Sequence, residues 1–134
     1  IMCYTIRKAG KYTFRKEERL CGTTRIARLF EVGTPLLIYP LKIIWMISEH
    51  DQIPPAISGF TVSRKLFRRA IDRNLIKRRM REAYRLNKEL LYSTCENRKI
   101  TVMFIYIAPS VLPWKTIEKA FHTFPGKLSH KLQN

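Results

Sequence analysis

The stretch RKLFRRAIDRNLIKRRMREAYR, residues 64 to 85, is the part of the chain around which the rest of the architecture is organised. It contains ten of the 26 Lys and Arg residues but only two of the ten acids, so its net charge of +8 is half of the formal +16. Residues 67 to 91 contain no Pro or Gly and are rich in Arg, Leu, Glu and Lys, which predicts one long helix. Positive charge concentrated on one helix produces a field that attracts polyanions.

The segments on either side of this helix predict a β-α-β unit. Side-chain hydropathy alternates over residues 56 to 63, which predicts a strand. Residues 100 to 108 are almost wholly apolar, which predicts a strand covered on both faces. A helix between two such strands implies that the strands are parallel in one sheet.

Three further elements are predicted around this unit. Residues 41 to 47 predict a strand that follows Pro40, with a turn at 49 to 55. A short helix is expected from Thr23 to Phe30, capped by Gly22 and the Thr23-Thr24 pair, and a last helix from Trp114 to about Phe124, interrupted by Pro125-Gly126. The order α, β, β, α, β, α predicts an α+β fold in which helices pack on a mixed sheet as a two-layer sandwich.

The totals indicate a single domain without a membrane segment. With 134 residues and 46% hydrophobic content the chain can bury a core, so we expect a basic extension over residues 1–12 and one domain over 13–134. The longest apolar run, residues 35 to 48, is too short to span a bilayer, and the N-terminus lacks the apolar core of a secretory signal. Three cysteines without a Cys-x-x-Cys spacing favour reduced thiols and a cytoplasmic location.

The long helix has two chemically different faces when projected at about 100° per residue. An arc of roughly 120° is apolar and is predicted to be buried; it contains Ile76, Met80, Ala83, Tyr84, Leu90 and Leu91. A polar stripe about 16 Å long, free of acids, contains Asn74, Lys77, Arg78, Arg81 and Arg85. Like charges stacked in this way destabilise a helix unless a polyanion neutralises them.

We therefore expect the stripe to bind nucleic acid. A stripe that only contacts solvent, or one that binds an anionic membrane, is less favoured. A membrane-binding helix needs a free apolar face, whereas this one is expected to be used by the core. The sequence has no helix-turn-helix, leucine zipper or zinc-finger spacing, so a helix lying against RNA is favoured over a reader of DNA grooves.

At this helix the chain resembles the protein component of bacterial ribonuclease P. The matching motifs are GFTVSRK at residues 59 to 65 and RNLIKRRMRE at residues 73 to 82. Upstream, FRKEERL at 14 to 20, IARLF at 26 to 30 and Gly33 also match, so the resemblance extends from about Thr13 to Leu132.

The resemblance implies an α/β sandwich like the second domain of ribosomal protein S5, with an unusual left-handed β-α-β crossover. It implies that an RNA subunit performs the catalysis with Mg²⁺ bound mainly by that RNA, and that the protein itself is non-catalytic. Its expected partners are the ribonuclease P RNA and precursor tRNA, with no membrane and no obligatory protein partner.

The resemblance also implies two sets of binding residues. The RNA subunit is expected to contact Arg64, Lys65, Arg69, Arg73, Asn74, Lys77, Arg78, Arg81 and, from the stripe, Arg85. A cleft between the sheet and the first helix is expected to hold the 5′ leader of precursor tRNA against Ile26, Phe30, Lys42 and Ile44. Phe30 would stack on an unpaired base, although its position suits a core residue of an amphipathic helix equally well.

Three positions depart from the family pattern. Leu75 stands where an Arg is usual, and we expect Arg79 to make the RNA contact of that Arg if the contact is kept. Ile26 replaces an aromatic of the cleft, and Pro109-Ser110 replaces a basic residue.

Two other functions stay open at this point. One is a stand-alone ribosome- or nucleic-acid-binding protein with the same electrostatics. The other is a nuclease with its own active site, which is less supported because the ten acids are scattered and the three histidines stand far apart.

Overall fold

The computed structural model describes residues 18–20, 22–48, 55–95 and 98–133. Its elements are α1 (Thr23–Val32), β1 (Thr34–Ile38), β2 (Leu41–Ile47), β3 (Ala56–Val62), α2 (Ala70–Cys95), β4 (Ile100–Tyr106) and α3 (Trp114–Gln133). The predicted α+β class is confirmed. The expected extension over residues 1–12 and most of the turn at 49 to 55 lie outside the described residues. In the described part of the chain, no helix has the length and apolar character needed to cross a membrane.

The four strands form one mixed sheet in the order β1-β2-β4-β3. Strands β3 and β4 are parallel and in register from Ala56↔Ile100 to Val62↔Tyr106, which confirms the predicted β-α-β unit. The β1–β2 and β2–β4 pairs are antiparallel. The handedness of the crossover stays a prediction.

Strand β1 was missing from the predicted element order, which was wrong on this point. Its sequence TPLLI is short and contains Pro35, and an edge strand is where a sheet tolerates proline. Leu36 and Ile38 pack against the core, while Leu37 on the other face is 65% exposed. Burial on one face only, over five residues, leaves little periodic signal in the sequence.

Alternation along the strands divides the core between the two faces of the sheet. Helices α2 and α3 cover one face, where Ile43, Trp45 and Phe104 pack with Ile76 and Phe121. On the opposite face Leu29 of α1 joins a smaller cluster with Leu20, Ile44, Ile57 and Met103. Beside this smaller cluster, Lys42 of β2 is exposed on the α1 face.

Helix α3 continues well beyond its predicted end. It runs through Pro125 to Gln133, so the predicted interruption after Phe124 is wrong. Leu128 is fully buried, and Arg98 donates a hydrogen bond from Nη1 to the carbonyl of Leu132 at 2.7 Å. Proline inside a helix costs about 3 kcal/mol, and the burial of Leu128 in the core acts against that loss.

The boundaries of the other helices also differ from the predictions. Helix α2 begins at Ala70 rather than 67 and continues to Cys95, past the predicted end at 91. Helix α1 extends to Val32. Its N-cap is Gly22 with φ +96°, as predicted, but there is no side-chain capping bond, so the predicted contribution of the Thr23-Thr24 pair is wrong. Gly33 follows the end of α1, with its N–H bonded to the Leu29 carbonyl at 2.8 Å.

Candidate nucleic-acid interface

The two faces of α2 are largely those that the helical projection predicted. Of the predicted buried arc all residues but one are buried: Ile76, Met80, Ala83, Tyr84 and Leu91. The exception, Leu90, is 46% exposed, so its assignment was wrong. The buried sector moves around the helix along its length, and near the C-terminus it includes Lys88 and Cys95 instead.

The polar stripe lies on the outside of the protein. Asn74, Arg78 and Arg81 are exposed, while Lys77 and Arg85 are half-buried. Arg85 donates from Nε to Oε1 of Glu82 at 3.0 Å and forms an ion pair with the same carboxylate. The hydrogen bond from Arg85 lowers the pKa of Glu82. The stripe therefore offers three exposed residues between its first position and Arg81, and the charge of Arg85 is shared with a neighbouring acid.

A turn at residues 64 to 66 carries more of the predicted RNA-contacting side chains. Arg64, Lys65 and the nearby Arg69 are all exposed. Arg73 donates from Nη1 to the carbonyls of Phe67 at 2.7 Å and of Arg68 at 2.9 Å. Arg73 thus holds the last part of the segment between β3 and α2 against the first turn of α2.

The guanidinium of Arg79 is engaged within the protein. Its Nη1 donates to the carbonyl of Leu112 at 2.8 Å, which ties α2 to the loop between β4 and α3. Tyr106 fixes the same loop, since its hydroxyl donates to the Ser110 carbonyl at 2.7 Å and accepts from Leu112 N–H at 3.0 Å. This arrangement argues against the expectation that Arg79 binds RNA in place of an arginine at position 75.

Of the predicted cleft residues, two come from β2 and two, Ile26 and Phe30, from α1. Lys42 and Ile44 point to the same face, as the alternation along β2 predicted, with Lys42 exposed and Ile44 buried in the small cluster. Ile26 packs against that cluster from α1. Phe30 is 48% exposed, so its alternative role as a core residue is wrong and its ring is accessible.

Sequence reasoning missed a buried ion pair. Lys88 Nζ lies 2.7 Å from Glu18 Oε1, and both side chains are 1% exposed. The sequence held one hint that Lys88 is buried. It lies three residues before Leu91, on the side of the helix that faces the core. A local pattern cannot show that a carboxylate 70 positions away completes the pair.

The described residues bring together no group of three or more His, Cys, Asp or Glu side chains. Cys95 is buried and forms no disulfide, and desolvation raises the pKa of its thiol to about 12. This part of the chain therefore presents cations and an accessible aromatic ring, which are the groups that bind nucleic acids.

Comparison with known proteins identifies the family of the chain. The sequence model of the family described as Ribonuclease P matches residues 14–128. The chain belongs to the ribonuclease P protein family. It is 35% identical over 107 residues to the ribonuclease P protein component of Porphyromonas gingivalis strain W83, covering 78% of each chain. It is 33% identical over 123 residues to the component of Chlorobaculum tepidum, covering 84% of this chain and 76% of the relative.

Solved structures of ribonuclease P proteins share the fold. The protein of Staphylococcus aureus superposes with a TM-score of 0.63 at 19% identity, covering 87% of this chain and 95% of that one. The protein of Thermotoga maritima superposes with a TM-score of 0.54 at 22% identity, covering 87% and 93%. With family and fold in agreement, the chain has the role of a protein subunit in 5′ processing of tRNA.

Proposed function

We propose that the outer surface of α2 and the turn before it bind the ribonuclease P RNA, and that the α1 face of the sheet receives the 5′ leader of precursor tRNA. The observation that carries this proposal is the exposure of Asn74, Arg78 and Arg81 on α2 and of Arg64 and Lys65 in the turn before it. Arginine suits this task because its planar fork makes bidentate contacts with phosphate.

The leader site rests on two accessible groups on the α1 face. The ring of Phe30 is half exposed, and stacking on an unpaired base contributes about 1–3 kcal/mol. Lys42 is exposed on the same face and supplies a charge for a leader phosphate. Ile44 of β2 and Ile26 of α1 pack in the small apolar cluster between α1 and the sheet.

In this proposal the RNA subunit is the catalyst, and Mg²⁺ is bound mainly by that RNA. The described protein residues contribute cationic and aromatic contacts rather than a carboxylate cluster of the kind that two-metal nucleases use. The protein is accordingly an accessory subunit of an endoribonuclease that works in the cytoplasm on precursor tRNA.

Cleavage of a precursor tRNA at low Mg²⁺ tests this division of labour. The protein, the RNA subunit encoded in the same genome, and their mixture are assayed separately. We expect cleavage to be restored only in the mixture. Cleavage by the protein alone would contradict the proposal and favour an active site of its own, and an unchanged rate on mixing would favour a stand-alone nucleic-acid-binding protein.

A triple substitution of Lys77, Arg78 and Arg81 by Ala tests the RNA-binding surface. Each neutralised phosphate contributes about 0.7–0.9 to the slope of log affinity against log salt, so the slope should fall by about 2–3. The slope is measured by titrating the RNA subunit at several salt concentrations. The free energy of unfolding should change little, because none of the three side chains belongs to the core.

The matched control removes three exposed lysines of α3, Lys115, Lys119 and Lys127, and so changes the net charge equally. We expect this control to change the salt slope by less than about one unit. An equal effect from both triple variants would show that binding depends on net charge and not on the stripe.

A further inference from the structure

The ion pair of Glu18 and Lys88 joins two parts of the chain that are 70 positions apart. Lys88 lies on the C-terminal half of α2, and Glu18 precedes α1. Both side chains are almost completely removed from water, and the Lys88 ammonium also lies 5.8 Å from the ring centroid of Tyr92. A buried pair is stable only while both partners stay in place, because a lone buried charge is strongly disfavoured.

The segment that carries Glu18 runs along an edge of the sheet. Arg19 forms a parallel bridge with Ser58 of β3, and Leu20 donates its N–H to the Ser58 carbonyl at 2.8 Å. Because β3 is the last strand of the sheet, residues 18 to 20 pair with the side of β3 that no other strand occupies. Glu18 contacts α2 on one face of the sheet, whereas Leu20 packs into the cluster on the α1 face.

Helix α1 begins at Thr23, three residues after Leu20. The point at which the chain enters α1 is therefore determined by how residues 18 to 20 are docked. The other end of α1 is held by Gly33, which has no room for a side chain between Leu29 and Ile44. Together the two ends determine how α1, with Phe30 on it, lies over the sheet.

We propose that the Glu18–Lys88 ion pair is a positioning device that couples α2 to α1, so that recognition of the leader depends on two residues that RNA cannot reach. This inference rests on the proposed function, in which α2 binds the RNA subunit and the α1 face binds the leader. When Lys88 is replaced by an apolar residue, the Glu18 carboxylate loses the ammonium that compensates for its burial, so its docked position becomes less stable. Residues 18 to 20 then leave the edge of β3, and α1 loses one of its two attachments.

The experiment uses the full chain assembled with its RNA subunit and compares Lys88→Met with the wild type. The affinities for precursor tRNA and for mature tRNA without a leader are measured, and their ratio reports leader recognition. We expect the ratio to fall about tenfold, while the affinity of the protein for the RNA subunit changes by less than about threefold. Hydrogen exchange at the α1 amides of the free protein should become faster.

A double variant distinguishes positioning from a general loss of stability. Glu18→Leu combined with Lys88→Met replaces the pair by apolar groups, which buried sites often accept. We expect this variant to recover the affinity ratio to within about threefold of the wild type and to restore slow exchange in α1, because the segment can dock again. Lys119→Met on the exposed face of α3 is the control for the substitution itself.

Two results would overturn the inference. One is a wild-type ratio and wild-type α1 exchange in Lys88→Met. The other is a double variant in which slow α1 exchange is restored but the affinity ratio stays as low as in the single variant, which would mean that leader recognition does not depend on the docking of α1. If the wild-type complex does not distinguish precursor from mature tRNA, the proposed leader site is wrong, but the exchange data still decide whether the pair anchors α1.

Discussion

Gly33 occupies a position where a side chain would collide with the protein on two sides. A Cβ atom built on it would overlap Cγ2 of Ile44 and the carbonyl oxygen of Leu29. The φ of Gly33 is −69°, an ordinary value, so the requirement for glycine comes from close packing and not from backbone conformation. By contrast, Gly126 in α3 has no atom within 4 Å of the corresponding point.

This difference predicts opposite effects for two identical substitutions. Gly33→Ala should lower the free energy of unfolding by about 1–3 kcal/mol, because the extra methyl group overpacks the contact between α1 and β2. Gly126→Ala should raise it by about 0.5–1 kcal/mol, because alanine is the better helix former. Urea denaturation of both variants measures the changes. A neutral Gly33→Ala would mean that α1 can shift on the sheet without cost.

Among the elements, α2 contains two adjacent arginines, Arg78 and Arg79, whose side chains make different contacts. Arg78 is exposed on the outer stripe, whereas Arg79 reaches the Leu112 carbonyl and fastens the loop that leads into α3. One step of about 100° around the helix separates a residue available to RNA from one used in folding.

This contrast predicts separable effects of Arg78→Ala and Arg79→Ala. Arg79→Ala should lower the free energy of unfolding by about 1–2 kcal/mol, because the Leu112 carbonyl loses a charged donor. Arg78→Ala should leave stability unchanged and reduce the salt slope of RNA binding by about 0.7–0.9. Denaturation curves and salt-dependent titrations of both variants provide the measurements. If Arg79→Ala reduces the slope by the same amount, Arg79 also contacts phosphate.

The elements differ in how well the sequence predicted them. Strand β2 was predicted at its observed bounds and β3 and β4 to within two residues at their ends, because each has several buried positions in a row. Strand β1 was missed because it is short and only partly buried on one face, and the second half of α3 was missed because Pro125 indicated an interruption. In both cases packing against distant residues outweighed the local preference.

In the molecule as a whole, the core contains acidic groups that are buried in their neutral form. Desolvation raises the pKa of the Cys95 thiol from 9.0 to about 12, and it also raises the pKa values of Tyr84 and Tyr106. Because these pKa values are higher in the folded state, the folded protein holds the protons more tightly than the unfolded chain. Their contribution is fully present below pH 9.0 and is lost as the pH rises toward the folded values.

We therefore expect the free energy of unfolding to decrease above about pH 9, by up to about 1.4 kcal/mol per pH unit for each such group. Between pH 9 and 10 the thiol dominates, because the ordinary pKa of tyrosine is 10.0. Cys95→Ala should reduce the decrease in that interval. Urea denaturation at several pH values tests this, and identical pH dependence in wild type and variant would show that Cys95 ionises equally in both states.

Local sequence patterns were sufficient to predict the family, the α+β class, the β-α-β unit, and the concentration of charge on α2. These properties follow from motifs, from composition and from periods of two and 3.6 residues, all of which can be read along the chain. Which cations remain available depends on the folded chain, because Arg73, Arg79 and Arg85 are engaged with protein oxygens. The same is true of the place of Lys88 in the core. A side chain's partner can lie 33 or 70 positions away, and only folding brings the two together.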